Sequence, residues 1–364
     1  MHNQKNILLI LLLFAASANA QFHTLKIPQS SNYVIETQRL GVTDITIEYH
    51  SPKVNGRDVW NNTNVIPQNG DPIPWRAGAN MNTTIKFSTD VSVQGKPLKA
   101  GKYGFHVIPG ESSYTLLFAH NNDQWGSYYL DIDQDVTLQV DVKDTVSAMS
   151  EKLDYEFIPK SENTMIIGLE WAEKRIPFEV SVDLNTTVLE SFRSELLGIN
   201  TYRWEAWNDA AKWCLNRNIN LEEALEWANR SIEGGYNGFA ANKNLDNLTT
   251  KASILGGLGR RDELMATVDE ATQLSYTPMQ ANNFSIMLLR TQAYDKALEF
   301  STAATKKHPG MWFLELNQGI SSYFTGKKKN ALKQLGAAKT KTPESFHARI
   351  TEIIEEVKAG TFKL

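Results

Sequence analysis

Gln94-Gly95-Lys96-Pro97-Leu98-Lys99-Ala100-Gly101-Lys102-Tyr103-Gly104-Phe105-His106-Val107-Ile108-Pro109-Gly110, continuing to Tyr114-Thr115-Leu116-Leu117-Phe118, sets the fold of the first half of this 364-residue chain. Turn-forming residues at 94–97, 99–101 and 109–110 separate short runs rich in aromatic and β-branched residues, the pattern of successive hairpins. Upstream, Ile45, Ile47 and Tyr49 alternate with Thr46 and Glu48, the period of a strand with one buried face, and Ile85 and Phe87 repeat it. Downstream, 126–130, 136–142, 153–158, 165–171 and 176–182 read as further strands. Roughly nine strands at this spacing predict an antiparallel β-sandwich or barrel over residues 21–183.

After Asp183 the period becomes helical. Val188, Leu189, Phe192, Leu196 and Leu197 share one face, then Trp204, Trp207, Ala211 and Leu215 share another, with Asn200 and Thr201 as expected caps of the second helix. Asn220 is expected to cap the next, where Ala224 and Ala228 allow close contact. Gly259-Arg260-Arg261-Asp262-Glu263-Leu264, Gln292-Ala293-Tyr294-Asp295-Lys296-Ala297 and Gly326-Lys327-Lys328-Lys329-Asn330-Ala331 align, with 33 positions from Leu264 to Ala297 and 34 from Ala297 to Ala331. Pro309 and Pro343 fall in phase with them. This spacing resembles tetratricopeptide repeats, over 221–357, in a degenerate form. An α-helical solenoid over 184–364 is expected, its stacked units offering a face to a protein partner. The lysine run 327–329 reads as a solvated turn.

Composition bounds the function classes. Lys5 followed by the apolar run Ile7 to Ala16 and the small residues Ala18 and Ala20 reads as a secretory signal peptide over 1–20, so a periplasmic or extracellular protein is expected. No later run has the length and purity of a membrane span. A net charge of -4 supplies no basic field for nucleic acid. The single cysteine, Cys214, excludes an intrachain disulfide, and its apolar neighbours make it a buried small hydrophobe.

The densest group of directed polar residues is Pro74-Trp75-Arg76-Ala77-Gly78-Ala79-Asn80. Trp75 and Arg76 on one strand would face opposite ways, and Gly78 is the expected break. Arg76 can clamp a carboxylate or phosphate, while Trp75 or Trp125 can stack on a ring; alternatively Arg76 pairs with Glu48 or Glu170 and the tryptophans fill the core. His106 shares its strand face with Gly104, which is expected to leave open space beside it. His106, His50, Glu48 and Glu111 lack metal-ligand spacing, so no metal is predicted, and no cofactor motif occurs. The carboxylates Asp131, Asp133 and Asp135 lack the glycine and distal glutamate of a calcium loop and read as a turn.

Several of these pieces occur together in one bacterial exported family catalogued as a domain of unknown function. The resemblance rests on Gln38-Arg39-Leu40-Gly41, Asp44 to Tyr49, Ser51 to Arg57, Trp75 to Asn80, Pro97 to Gly104, Gln124-Trp125-Gly126 and Leu169-Glu170-Trp171. It covers 38–180 and departs from the family pattern in the approach Asn69-Gly70-Asp71-Pro72-Ile73-Pro74. The expectation is an exported binding or assembly protein, its helical repeats engaging a protein partner and its β-domain recognising a small polar ligand through Glu48, Arg57, Trp75, Arg76, Asn80, His106 and Trp125. The competing expectation is a hydrolase using Arg76, His106 and a carboxylate; a glycosidase pair of Glu48 and Glu170 is a weaker variant.

Overall fold

The computed structural model describes residues 28–66, 74–110 and 112–364. The signal segment 1–20, the approach 69–73 and Glu111 lie outside the described residues. The described chain divides into two compact units, one ending at Ser191 and the other starting at Phe192.

The first unit is an antiparallel β-sandwich. Its strands are β1 (Asn32–Leu40), β2 (Thr43–Ser51), β3 (Thr83–Phe87), β4 (Val91–Val93), β5 (Lys96–Leu98), β6 (Gly101–Pro109), β7 (Ser113–Ala119), β8 (Val136–Lys143), β9 (Thr145–Pro159) and β10 (Thr164–Ser181). One sheet runs β1-β2-β3-β6-β7-β8 and the other β5-β4-β10-β9. The alternation in the sequence selects the inner face: Ile45, Ile47, Ile85, Phe105 and Leu116 from one sheet and Ile167, Trp171, Phe178 and Val180 from the other are all buried. The Phe105 and Phe178 rings stack across the sheets, 5.6 Å apart. Burying each large side chain contributes about 1.5–3 kcal/mol, so this interface supplies the stability that no disulfide provides.

Four expectations need correction. The runs 165–171 and 176–182 are one strand, β10, which changes register at a bulge around Ala172 rather than ending. Ala172 has φ 53°, so the bulge turns the strand without a break in pairing. The 126–130 run is a turn segment: Gly126 at φ 69° and the Leu130 N–H bond to the Ser127 carbonyl carry the chain over the outer sheet face. The aspartates of 131–135 form a helical turn, α1 (Ile132–Asp135), where the Asp131 carboxylate accepts from the N–H groups of Asp133 and Gln134. Finally β1 and β4, unread in the sequence, and β5, whose Lys96 and Pro97 read as part of a turn, are strands because their partners satisfy them; β1 pairs along its whole length with β2, and β5 with β4.

The second unit is a helical repeat solenoid. Helix α2 (Leu184–Glu195) leads into it, followed by α3 (Trp204–Arg217), α4 (Leu221–Glu233), α5 (Leu245–Gly257), α6 (Arg261–Ala271), α7 (Pro278–Arg290), α8 (Tyr294–Lys307), α9 (Trp312–Phe324), α10 (Lys328–Lys341) and α11 (His347–Ala359). The aligned residues Leu264, Ala297 and Ala331 are all fully buried. The aligned Gly259, Gln292 and Gly326 all adopt left-handed φ, at 72°, 59° and 78°, closing the first helix of each pair. Repetition in the sequence is thus repetition of one corner. One cap differs from expectation: Asn200 and Thr201 lie in a 3₁₀ turn before α3. Asn220 does hold the N-cap position of α4, with left-handed backbone and its side chain donating to Glu223 instead of accepting from the helix N–H groups. Cys214 is buried in α3, its thiol pushed up to about 11 by that burial.

Candidate functional site

The segment 74–82 spans the sandwich between two backbone pins. Trp75 exchanges both main-chain hydrogen bonds with Val107 at 2.8 Å, and Met81 is bridged to Trp125. Between these pins Ala77 at φ 50° and Asn80 at φ 60° turn the chain. Gly78 is needed for a different reason: a side chain there would meet the Thr83 hydroxyl at 2.9 Å and the His50 carbonyl at 3.1 Å. The break falls on Ala77 and Asn80, with Gly78 permitting close approach.

Trp75 and Arg76 point opposite ways, as their adjacency requires. Trp75 is in the core, stacked on Trp171 with centroids 5.9 Å apart and edge-on to Trp60. Arg76 donates to the Asn80 carbonyl and, at 3.4 Å, to the Tyr128 hydroxyl. The Trp125 and Tyr128 rings lie 5.9 and 5.5 Å from its guanidinium carbon. Such cation–π contacts hold a cation in place without neutralising it. Neither expected carboxylate reaches it: Glu48 binds Lys102 at 3.0 Å and Tyr33 at 2.7 Å, and Glu170 binds Arg175 at 2.7 Å. Among the described residues no ion pair forms at Arg76.

Arg57, Trp75, Arg76 and Asn80 line one cleft of about 910 Å³, with Lys53, Asn55, Ser127 and Tyr128. Arg57 donates to the Val54 carbonyl at 2.9 Å and to the Lys53 carbonyl, which fixes its position at the rim. Glu48 lies apart, with His50, Thr84 and Asp123, in a smaller cavity of about 210 Å³. Against a burial that would raise it, the Tyr33 hydroxyl and the Lys102 ammonium hold the Glu48 carboxyl below its ordinary value. Trp125 covers Arg76 and is 45% exposed.

His106 is fully buried beneath the cleft, and its Nδ1 is 2.7 Å from the Ser127 hydroxyl. The space beside it is closed: a Cβ on Gly104 would lie 2.4 Å from the Asn121 carbonyl and 3.2 Å from His106 Nε2. Burial, then the Arg76 charge, depress the imidazole to about 4, with Asp135 opposing. A ring that stays neutral at ordinary pH orients Ser127 and is a weak base for abstracting its proton. Among the described residues its Nε2 has no hydrogen-bond partner, and neither do the Thr84 hydroxyl and the Gln124 side-chain amide. His106, His50 and Glu48 are not gathered as metal ligands, and no group of three such residues occurs among the described residues.

Residues 30–180 match the family model described as "Protein of unknown function (DUF2911)". The motif-bearing segment, the cleft residues from Ser30 to Trp171 and both sheets fall inside this DUF2911 match. No curated protein matches the chain. Solved structures with some likeness include YrrB, described as a TPR protein with an unusual peptide-binding site, at 17% identity and TM-score 0.33, covering 46% of this chain and 86% of that one. MamA matches at 14% identity and TM-score 0.33, covering 44% and 88%. MamA from Desulfovibrio magneticus RS-1 matches at 16% and 0.30, covering 44% and 97%. The solenoid architecture itself rests on the helix pairs and repeated corners described above.

Ser127 and Tyr128 were not legible as site residues, since 126–130 reads as a strand. The signal available was the run Gly126-Ser127-Tyr128-Tyr129, a flexible glycine followed by three hydroxyl-bearing residues. Lys53 and Asn55 likewise sit in a turn that gave no chemical pattern.

Proposed function

We propose that this chain is an exported two-part binding protein, in which the DUF2911 β-sandwich takes a small polar ligand in the Arg57–Arg76 cleft and the helical repeats engage a protein partner. The observation that carries the ligand part is Arg76, an aromatic-bracketed cation on the cleft wall with no carboxylate partner among the described residues. A cleft of about 910 Å³ lies within the usual size range of small-molecule sites. Its surroundings also hold strained backbone: Asn55, Ala77, Asn80 and Ala172 all have positive φ without being glycine. Such strain persists where a shape is required, and clusters at ligand sites. The helical part follows from its architecture, since stacked repeats present a continuous surface suited to extended partners.

The test is thermal unfolding of the secreted, processed protein and of Arg76→Ala against sugars, nucleotides, organic acids and divalent ions. A ligand that raises the wild-type midpoint and leaves the variant's unmoved supports the reading, because a ligand bound only to the native state adds RT ln(1 + [L]/Kd). If no compound moves the wild type, the cleft reading fails. N-terminal sequencing of exported protein checks the expected processing after Ala20.

A further inference from the structure

Resting on the ligand-binding reading above, we infer that the occupant of the large cleft is an acidic saccharide, a short chain of sugar rings carrying carboxylates. The first observation is charge. Lys53, Arg57 and Arg76 line the cleft, and no aspartate or glutamate is among its described lining residues. Elsewhere in the unit, Lys102 binds Glu48, Lys160 binds Glu179, Lys174 binds Asp144 and Arg175 binds Glu170. Among the described residues none of the three cleft cations forms an ion pair, whereas the smaller cavity contains both Glu48 and Asp123. Like charges gathered without counter-charges repel, and an anionic ligand relieves that repulsion.

The second observation is how the cations are held. Arg76 already spends donors on the Asn80 carbonyl and the Tyr128 hydroxyl, and Arg57 on the Val54 and Lys53 carbonyls. They belong to separate segments, 53–57 and 76–80, and each keeps only part of its fork free. Single carboxylates spaced along a chain suit such dispersed, half-used forks; a compact polyphosphate calls for converging ones.

The third observation is the lining between the charges. Ser30, Ser31, Asn55, Thr63 and Asn64 offer hydroxyls and amides. The Tyr128 ring, 73% exposed, lines the same cleft and offers a flat apolar face. Hydroxyl-rich rings with one apolar face match this combination of hydrogen-bonding groups and an aromatic plate. Ser127, oriented by His106 from below, adds a hydroxyl of fixed direction.

Calorimetric titration of the processed full chain with trigalacturonate, neutral galactotriose and sodium sulfate tests the inference. The expected result is binding of the acidic trisaccharide about 100-fold tighter than of the neutral one, weakening as salt is raised. Arg57→Gln should weaken it about 10-fold, with an unfolding transition that still lies above the titration temperature and shows the variant folded. Tyr128→Ala should weaken it comparably without changing the salt dependence. Equal affinity for the acidic and neutral sugars overturns the inference but leaves a ligand site standing. So does sulfate binding as tightly as the trisaccharide, which would mark a simple anion site. Failure of every saccharide while another ligand class acts through Arg76 also overturns it, and only the absence of any Arg76-dependent ligand removes the underlying reading as well.

Discussion

Alanine at Gly126 should disturb the cleft through one atom, and two other glycines supply the controls. Gly126 has φ 69°, and a Cβ there would lie 2.8 Å from the Arg76 guanidinium carbon and 3.0 Å from the Tyr128 ring. Left-handed backbone costs an L-residue about 1–2 kcal/mol. The guanidinium is a flexible terminus and will yield, at the expense of its bond to the Asn80 carbonyl; hydrogen bonds to charged groups contribute about 1.5–3 kcal/mol. The sum, about 2–4 kcal/mol after relaxation, lowers the midpoint of a unit this size by roughly 10 °C. Gly95, at φ 76° with nothing within 4 Å of its would-be Cβ, isolates the backbone contribution, so Gly95→Ala should cost only about 1–2 kcal/mol. Gly104 isolates the steric part: its added Cβ meets the Asn121 carbonyl at 2.4 Å, and backbone cannot step aside cheaply. Urea unfolding followed by tryptophan fluorescence measures all three. Equal midpoints for Gly126→Ala and Gly95→Ala would refute the claim that Gly126 exists to make room for Arg76.

Three further outcomes follow from the titrating groups. His106 has its pKa depressed from 6.5 to about 4, so the unfolded chain takes up a proton that the native state refuses; stability is full above pH 6.5 and about 3 kcal/mol is lost as pH falls to about 4. His106→Asn, which keeps a hydrogen-bonding atom near Ser127, should flatten that part of the urea-midpoint profile, and an unchanged slope counts against the assignment. Tyr49 has one hydroxyl hydrogen but contacts two carboxyls, Glu36 at 2.8 Å and Asp154 at 2.6 Å. Burial, opposed by the Tyr49 bond and reinforced by Asp154, raises the Glu36 carboxyl above its ordinary value, so the native state holds a proton there and loses stability as pH rises through that value. Glu36→Gln should raise the melting temperature at pH 8 and not at pH 4; a gain at both would point to packing instead. Cys214 is fully buried with its thiol pushed up to about 11, so native protein should resist a thiol reagent at pH 8 and react at the rate of global unfolding. Prompt labelling of native protein would contradict its burial.

The strand alternation around Ile45 and Phe87 and the repeat at Leu264, Ala297 and Ala331 were legible because burial on one face imposes a period that composition must obey. Strand β1 was not, because only its pairing with β2 makes it a strand; exposed Tyr33 and Ile35 carry no inward period. The site was half legible. The density of directed groups singled out 74–80, a segment that lines the large cleft, and the opposite facing of Trp75 and Arg76 follows from strand geometry alone. What the sequence left open was who meets whom across long separations: Arg76 with Tyr128, 52 positions on, and His106 with Ser127, 21 positions on. Glu48 was grouped with Arg76 on the strength of its charge, and the two line different cavities because the 74–82 span runs between them.

The two pins of that span, Trp75 to Val107 and Met81 to Trp125, are made by main-chain atoms. Main-chain hydrogen bonds do not depend on side-chain identity, so the two attachments themselves place no demand on the side chains between them, and the constraint within the span falls on Gly78. Ala79 and Asn80 keep their main-chain duties, the Ala79 N–H donating to the His50 carbonyl and the Asn80 carbonyl accepting from Arg76, while both residues line the cleft. A change of side chain at Ala79 therefore reshapes the cleft wall and leaves both pins in place.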